Sequence, residues 1–126
     1  MTGVTSVTSR VFCIAVDCRD TALLTRFWCA ALGYEVVKRW TDSRGTEYVE
    51  IGHGDEPVVL FQPVPEGKAG KNRLHLDIAA RSGTRESEVE RLVGLGATVV
   101  SNEPDFHWVV LTDPEGNEFC VLGPRT

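Results

Sequence analysis

Leu111-Thr-Asp-Pro-Glu-Gly-Asn-Glu-Phe-Cys-Val-Leu122 is the stretch that decides the fold. Asp113 at the first turn position, Pro114 presetting φ at the second and Gly116 at the last supply the chemistry of a type I turn. The stretch is therefore a strand end, a tight turn and a second strand, and it closes a unit that occurs twice. Leu32-Gly-Tyr-Glu-Val-Val37 and Leu95-Gly-Ala-Thr-Val-Val100 are both a helix end, with Gly just beyond it, followed by a β-rich run. Two copies of one supersecondary unit are expected, with function between them.

Working outward, Val11 to Asp17 alternates as a strand, with Phe12, Ile14 and Val16 on the face expected to pack on helices. Asp20 is placed to cap a helix over residues 20–32, whose apolar stripe is Leu24, Phe27, Trp28, Ala31 and Leu32. Strands follow over 34–40, 46–52 and 58–62, and in the second of these Tyr48 and Glu50 share one face while Val49 and Ile51 share the other. Residues 63–72, rich in Pro, Gly and charge, are a linker. Arg73 to Ala79 then alternates like the first strand, with Leu74, Leu76 and Ile78 on the apolar face and Arg73, His75 and Asp77 opposite. Ser82 or Thr84 caps a second helix with Glu86, Glu88 and Glu90 near its start and a stripe of Val89, Leu92, Val93 and Gly96. Strands over 97–101, 106–112 and 117–122 complete a second βαβββ unit. The expected organisation is a polar, disordered tail over 1–10 and one domain over 11–126, made of modules 11–62 and 73–124.

At 126 residues, with 42% apolar and 25% charged residues, the chain suits one self-sufficient soluble domain. A net charge of −5 offers no basic field for nucleic acid or anionic lipid, so a small molecule is the expected partner. No apolar run is long enough to span a bilayer and residues 1–10 do not read as a signal peptide, so the expected location is the cytoplasm. Cys13, Cys18, Cys29 and Cys120 show no C-x-x-C pair and are expected to be reduced.

The motifs Phe27-Trp-Cys-Ala-Ala-Leu-Gly-Tyr34, Lys71-Asn-Arg-Leu-His-Leu-Asp-Ile78, Leu95 to Val100 and Asp113-Pro-Glu-Gly-Asn-Glu-Phe-Cys-Val121 stand in order over residues 10–124. Together they resemble the vicinal oxygen chelate superfamily, the glyoxalase and bleomycin-resistance fold, and in particular a glyoxalase-like branch common in actinobacteria. The resemblance implies an α+β fold in which two curved mixed sheets form an open cup, helices outside and ligand inside, and a homodimer. It also implies four metal-ligand positions, which fall here on Cys13, Val59, His75 and Cys120. Valine cannot ligate, and thiolates are soft where that family's metals want carboxylate and imidazole. Three alternatives stand: no metal cofactor is held, Cys13, His75 and Cys120 hold zinc with one open position, or a metal is held in a different arrangement.

Without a metal, the inward groups expected to contact a ligand are Tyr48, Glu50, Arg73, His75 and Asp77, with His107 as a further candidate and Phe61 and Trp108 as apolar walls. His75 beside a carboxylate suits a general base, and Glu50 could be tuned by desolvation. Arg73 and Asp77 could equally satisfy each other, and His53 between two glycines is a loop residue. Two function classes remain: a module that binds a small hydrophobic or aromatic molecule, and a lyase- or isomerase-type enzyme using His75 and Glu50 or the zinc set.

Overall fold

Asp20 starts the first helix, its carboxylate accepting the Leu23 N–H at 3.0 Å. In the computed structural model, which describes residues 7–125, this helix (α1, Thr21–Leu32) stops at Gly33, whose φ of 69° is disfavoured for any residue with a Cβ. Around it the first module places β1 (Ile14–Cys18), β2 (Glu35–Thr41), β3 (Glu47–Gly52) and β4 (Val59–Pro63). The second repeats the order with β5 (Leu76–Ala79), α2 (Arg85–Leu95), β6 (Thr98–Ser101), β7 (Trp108–Thr112) and β8 (Glu118–Leu122). The sheets run β1-β4-β3-β2 and β5-β8-β7-β6, with β1/β4 and β5/β8 parallel and the other pairs antiparallel. The α+β fold of two tandem βαβββ modules is thus the observed one.

Alternation fixes which residues each sheet gives to the helices. Val49, Ile51, Val59 and Phe61 from the first sheet and Val109, Leu111, Phe119 and Val121 from the second join Leu24, Phe27, Trp28 and Leu92 in a single core. The opposite faces, here called the cup faces, carry Ala15, Tyr48, Glu50 and Leu60 in the first module and Asp77, Val110 and Cys120 in the second.

The closing turn fastens the two modules together. Trp28 packs edge-on against Phe119 with ring centroids 4.9 Å apart, and its indole N–H donates to Asp113 at 3.0 Å. Buried Asp113 also accepts the backbone N–H groups of Glu115 and Asn117 at 2.9 and 3.0 Å. The Glu115 carboxylate accepts from the Arg19 and Asp20 N–H groups at 2.8 and 2.6 Å, placing a negative charge at the start of α1 where the helix dipole favours it. At the other end of α1, Arg91 donates to the Ala30 and Ala31 carbonyls.

Several expectations need correction. Phe12 and Leu74 are 69% and 89% exposed, because β1 begins only at Ile14 and β5 only at Leu76, so pleating does not yet orient either residue. Phe12 instead lies beneath the Arg10 guanidinium. Likewise β7 begins at Trp108 rather than Phe106, and Thr84, not Ser82, caps α2, in a reciprocal box with Ser87. Val93 is exposed, leaving Leu92 as the buried residue of α2. Although α1 lies on the sheet face opposite the cup, as expected, only Ala22, Arg26 and Ala30 are exposed along it. Of the tail expected over 1–10, residues 1–6 lie outside the described residues. Among the described residues no helix is long and apolar enough to cross a membrane.

Candidate functional site

On the second cup face, the parallel β5/β8 ladder sets Asp77 opposite Cys120. His75 lies just before β5 and is placed on that face by its contact with Asp77 rather than by pleating. Its Nε2 lies 3.1 Å from Asp77 Oδ1, with both side chains partly open to solvent. Burial pushes the Cys120 thiol up, and the facing Asp77 carboxylate, which accepts its hydrogen bond, pushes it further. Cys120 is therefore a protonated thiol, and because Asp77 rather than His75 is its partner, the trio is not an activated nucleophile. Arg73, expected as the partner of Asp77, stands exposed before β5, and His75 takes that role.

The first cup face is aromatic. Trp40 pairs in register with Tyr48 across β2/β3 and the rings stack at 5.4 Å and 13°. The Lys38 ammonium lies 5.0 Å from the Trp40 ring centroid, and Glu50 sits in register between Lys38 and Leu60. The Tyr48 hydroxyl donates to Asp42 at 3.0 Å, which raises the phenol's pKa. The Asp42 carboxyl is held below its usual range by the Thr46 and Arg44 backbone N–H groups. Trp40 was not among the expected site residues. The signal for it was present, since Trp40 and Tyr48 flank the turn over 41–45 at positions a hairpin brings opposite.

Register also corrects the position assigned to Val59. Cys120 pairs with Asp77, two residues beyond His75, and the first-module residue in the matching place pairs with Ala15, two beyond Cys13. That residue is Leu60. Val59 and Phe61 lie on the helix face, so Phe61, fully buried beneath α1, is no wall of the cup. Leucine donates to a metal no better than valine. Trp108 is on the cup side of β7 and stacks on Phe106 at 4.9 Å. His107 and His53 are exposed in the segments before β7 and after β3.

A groove of about 800 Å³ lies elsewhere, on the helix side between the modules. Leu32, Tyr34, Ile78 and Arg81 line it and Asp77 borders it. Two of its three arginines are engaged, Arg81 with Glu56 at 2.8 Å and Arg91 with Glu88 at 2.7 Å, and Arg125 is the third. The groove thus has size with most of its cationic groups already paired, whereas the cup faces have recognition groups without enclosure.

A family model described as a glyoxalase-like domain matches residues 13–122. Solved structures similar to this chain include the fosfomycin resistance protein FosX of Mesorhizobium loti, at TM-score 0.75 and 15% identity over 92% of each chain. The trypanothione-dependent glyoxalase I of Leishmania major gives 0.71 and 15% over 92% of this chain and 87% of that one. A glyoxalase/bleomycin resistance protein/dioxygenase family enzyme of Burkholderia phytofirmans PsJN gives 0.68 and 18% over 90% and 98%. At these identities the likeness shows the fold alone. No curated protein matches the sequence.

Proposed function

The chain belongs to the glyoxalase-like domain family, and on that premise we propose that it binds a small hydrophobic or aromatic organic molecule on its cup faces, without a metal held by the family's four positions together. The observation that carries this reading is the stacked Trp40/Tyr48 pair, bordered by Lys38 and Glu50. It offers a preformed π surface with charge at its edge, a combination that suits small-molecule sites. On the opposite module Trp108 adds a second flat surface, and His75 and Asp77 add polar contacts. Of the metal positions, Leu60 has no donor atom and Cys120 offers sulfur in place of oxygen.

A screen of small aromatic molecules followed by calorimetry on Trp40→Ala and His75→Ala tests the proposal. Each change is expected to weaken the best binder by about 1 to 3 kcal/mol with the fold retained. Unchanged affinity in both variants would remove the cup faces as the site. The His75–Asp77 contact also favours an acid/base reading, in which Asp77 orients the imidazole as general base of a lyase or isomerase. Under that reading His75→Ala costs about 10²- to 10⁴-fold in rate with a smaller effect on affinity. A homodimer belongs to the same proposal, since Ala15, Asp17, Asp77 and Ala79 on the cup faces are exposed in the single chain. Light scattering is expected to give twice the mass of the chain, and a monomer mass would contradict it.

A further inference from the structure

His75, Asp77 and Cys120 offer one imidazole nitrogen, one carboxylate oxygen and one sulfur, all within 4.8 Å of one another. We propose that these three side chains form a zinc site contained wholly in the second module, with one coordination position open.

Tetrahedral zinc, with bonds of about 2.0 to 2.2 Å to nitrogen and oxygen and about 2.3 Å to sulfur, holds its donors roughly 3.3 to 3.6 Å apart. His75 Nε2 and Asp77 Oδ1 are already 3.1 Å apart. Their side chains are 41% and 55% exposed and can turn to close the remaining gap, while Cys120 is held by β8, which pairs on both sides. The donor types select the metal. Magnesium, calcium and manganese want all-oxygen shells, iron–sulfur clusters want several thiolates, and a mixed sulfur, nitrogen and carboxylate set with three protein ligands is a zinc pattern. Binding converts the Cys120 thiol to a zinc-bound thiolate and releases its proton to solvent.

This site is not the one the four strand positions would make. Asp77 supplies the third donor, Cys13 takes no part in the cluster, and nothing comes from the first module. The register gives the reason, since the ladder that sets Asp77 beside Cys120 sets Ala15 beside Leu60 in the other copy. The site shares His75 and Asp77 with the organic-ligand reading, so cobalt titration tests the metal without relying on that ligand.

The test is titration of the chelator-treated full chain with cobalt(II), which replaces zinc and reports sulfur ligation as a thiolate-to-metal charge-transfer absorption. One cobalt per chain with that absorption is expected, bleached stoichiometrically by added zinc. Cys120→Ser should abolish the absorption. Asp77→Asn and His75→Ala, both at exposed positions where folding is not at stake, should weaken binding at least about tenfold, the least expected when a metal-site partner is lost. Cys13→Ser should leave absorption and affinity as they are. Absence of the absorption, its survival in Cys120→Ser, full-strength binding by both Asp77→Asn and His75→Ala, or its loss in Cys13→Ser would each overturn the proposal.

Discussion

The two helices occupy the same place in two copies of one unit, yet α1 is enclosed on most of its circumference while α2 buries Leu92 alone. Part of the difference lies in the helices' own sheets, since α1 packs on β2, β3 and β4 and α2 on β6 and β8. The rest comes from the closing turn and β8 of the second module, which reach across to α1 through Asp113, Glu115 and Phe119. The corresponding first-module segment, 52–57, gives the other copy the exposed Glu56–Arg81 pair. Duplication of a topology therefore does not duplicate its energetics, because a contact between copies need not have a symmetric counterpart.

The largest expected effect is at Trp28. Trp28→Ala should cost about 3 to 5 kcal/mol in a denaturant titration, through lost transfer energy and a cavity. Val93→Ala on α2 should stay within about 0.5 kcal/mol, as for other surface changes. Comparable costs at the two sites would break the comparison. Next is Asp113→Ala, which leaves the Trp28 indole N–H and two backbone N–H groups without their charged acceptor. A loss of about 3 kcal/mol is expected, and under about 1 would show that the turn does not fasten α1.

Smaller effects sharpen the contrast. Glu115→Ala and Thr84→Ala each remove a helix-start acceptor and should each cost about 1 kcal/mol. Only the former should raise amide exchange in both modules, since only Glu115 bridges them; equal, local effects would count against the bridge. Arg81→Ala should cost under about 1 kcal/mol, as exposed pairs do.

The smallest effect is one of pH. The Asn72 N–H, at 2.9 Å, and then Lys68 hold the Glu118 carboxyl below its usual range, which ties the linker to β8. A depressed folded pKa means that this contribution is present above the unfolded value of about 4.3 and is lost as pH falls through the folded one. The Asn72 amide resonance should follow that titration below about pH 4.3, and an amide that ignores it would remove the tie.

Most of the architecture was legible in the sequence because it rests on local signals. Asp20 and Gly33 bound α1, the alternation at Val49/Ile51 sets a face, and Asp113-Pro-Glu-Gly116 forms the turn. What was not legible depends on where strands begin and how they pair. Phe12 and Leu74 continue an alternation past the point where a strand exists. The misplacement of Val59 and Phe61 is a one-residue register error, which carries a side chain to the opposite face. The helix-capping role of Glu115 and the approach of Trp28 to Asp113 join residues far apart in the chain, which no local pattern encodes.

The central claim is that recognition resides on the cup faces and not in the larger groove, and backbone chemical-shift mapping of the protein with bound small aromatic molecules tests it most directly. The account predicts perturbations centred on Trp40, Tyr48, Glu50, Leu60 and His75. Perturbations centred on Leu32, Tyr34, Ile78 and Arg81, with the cup faces silent, would contradict it.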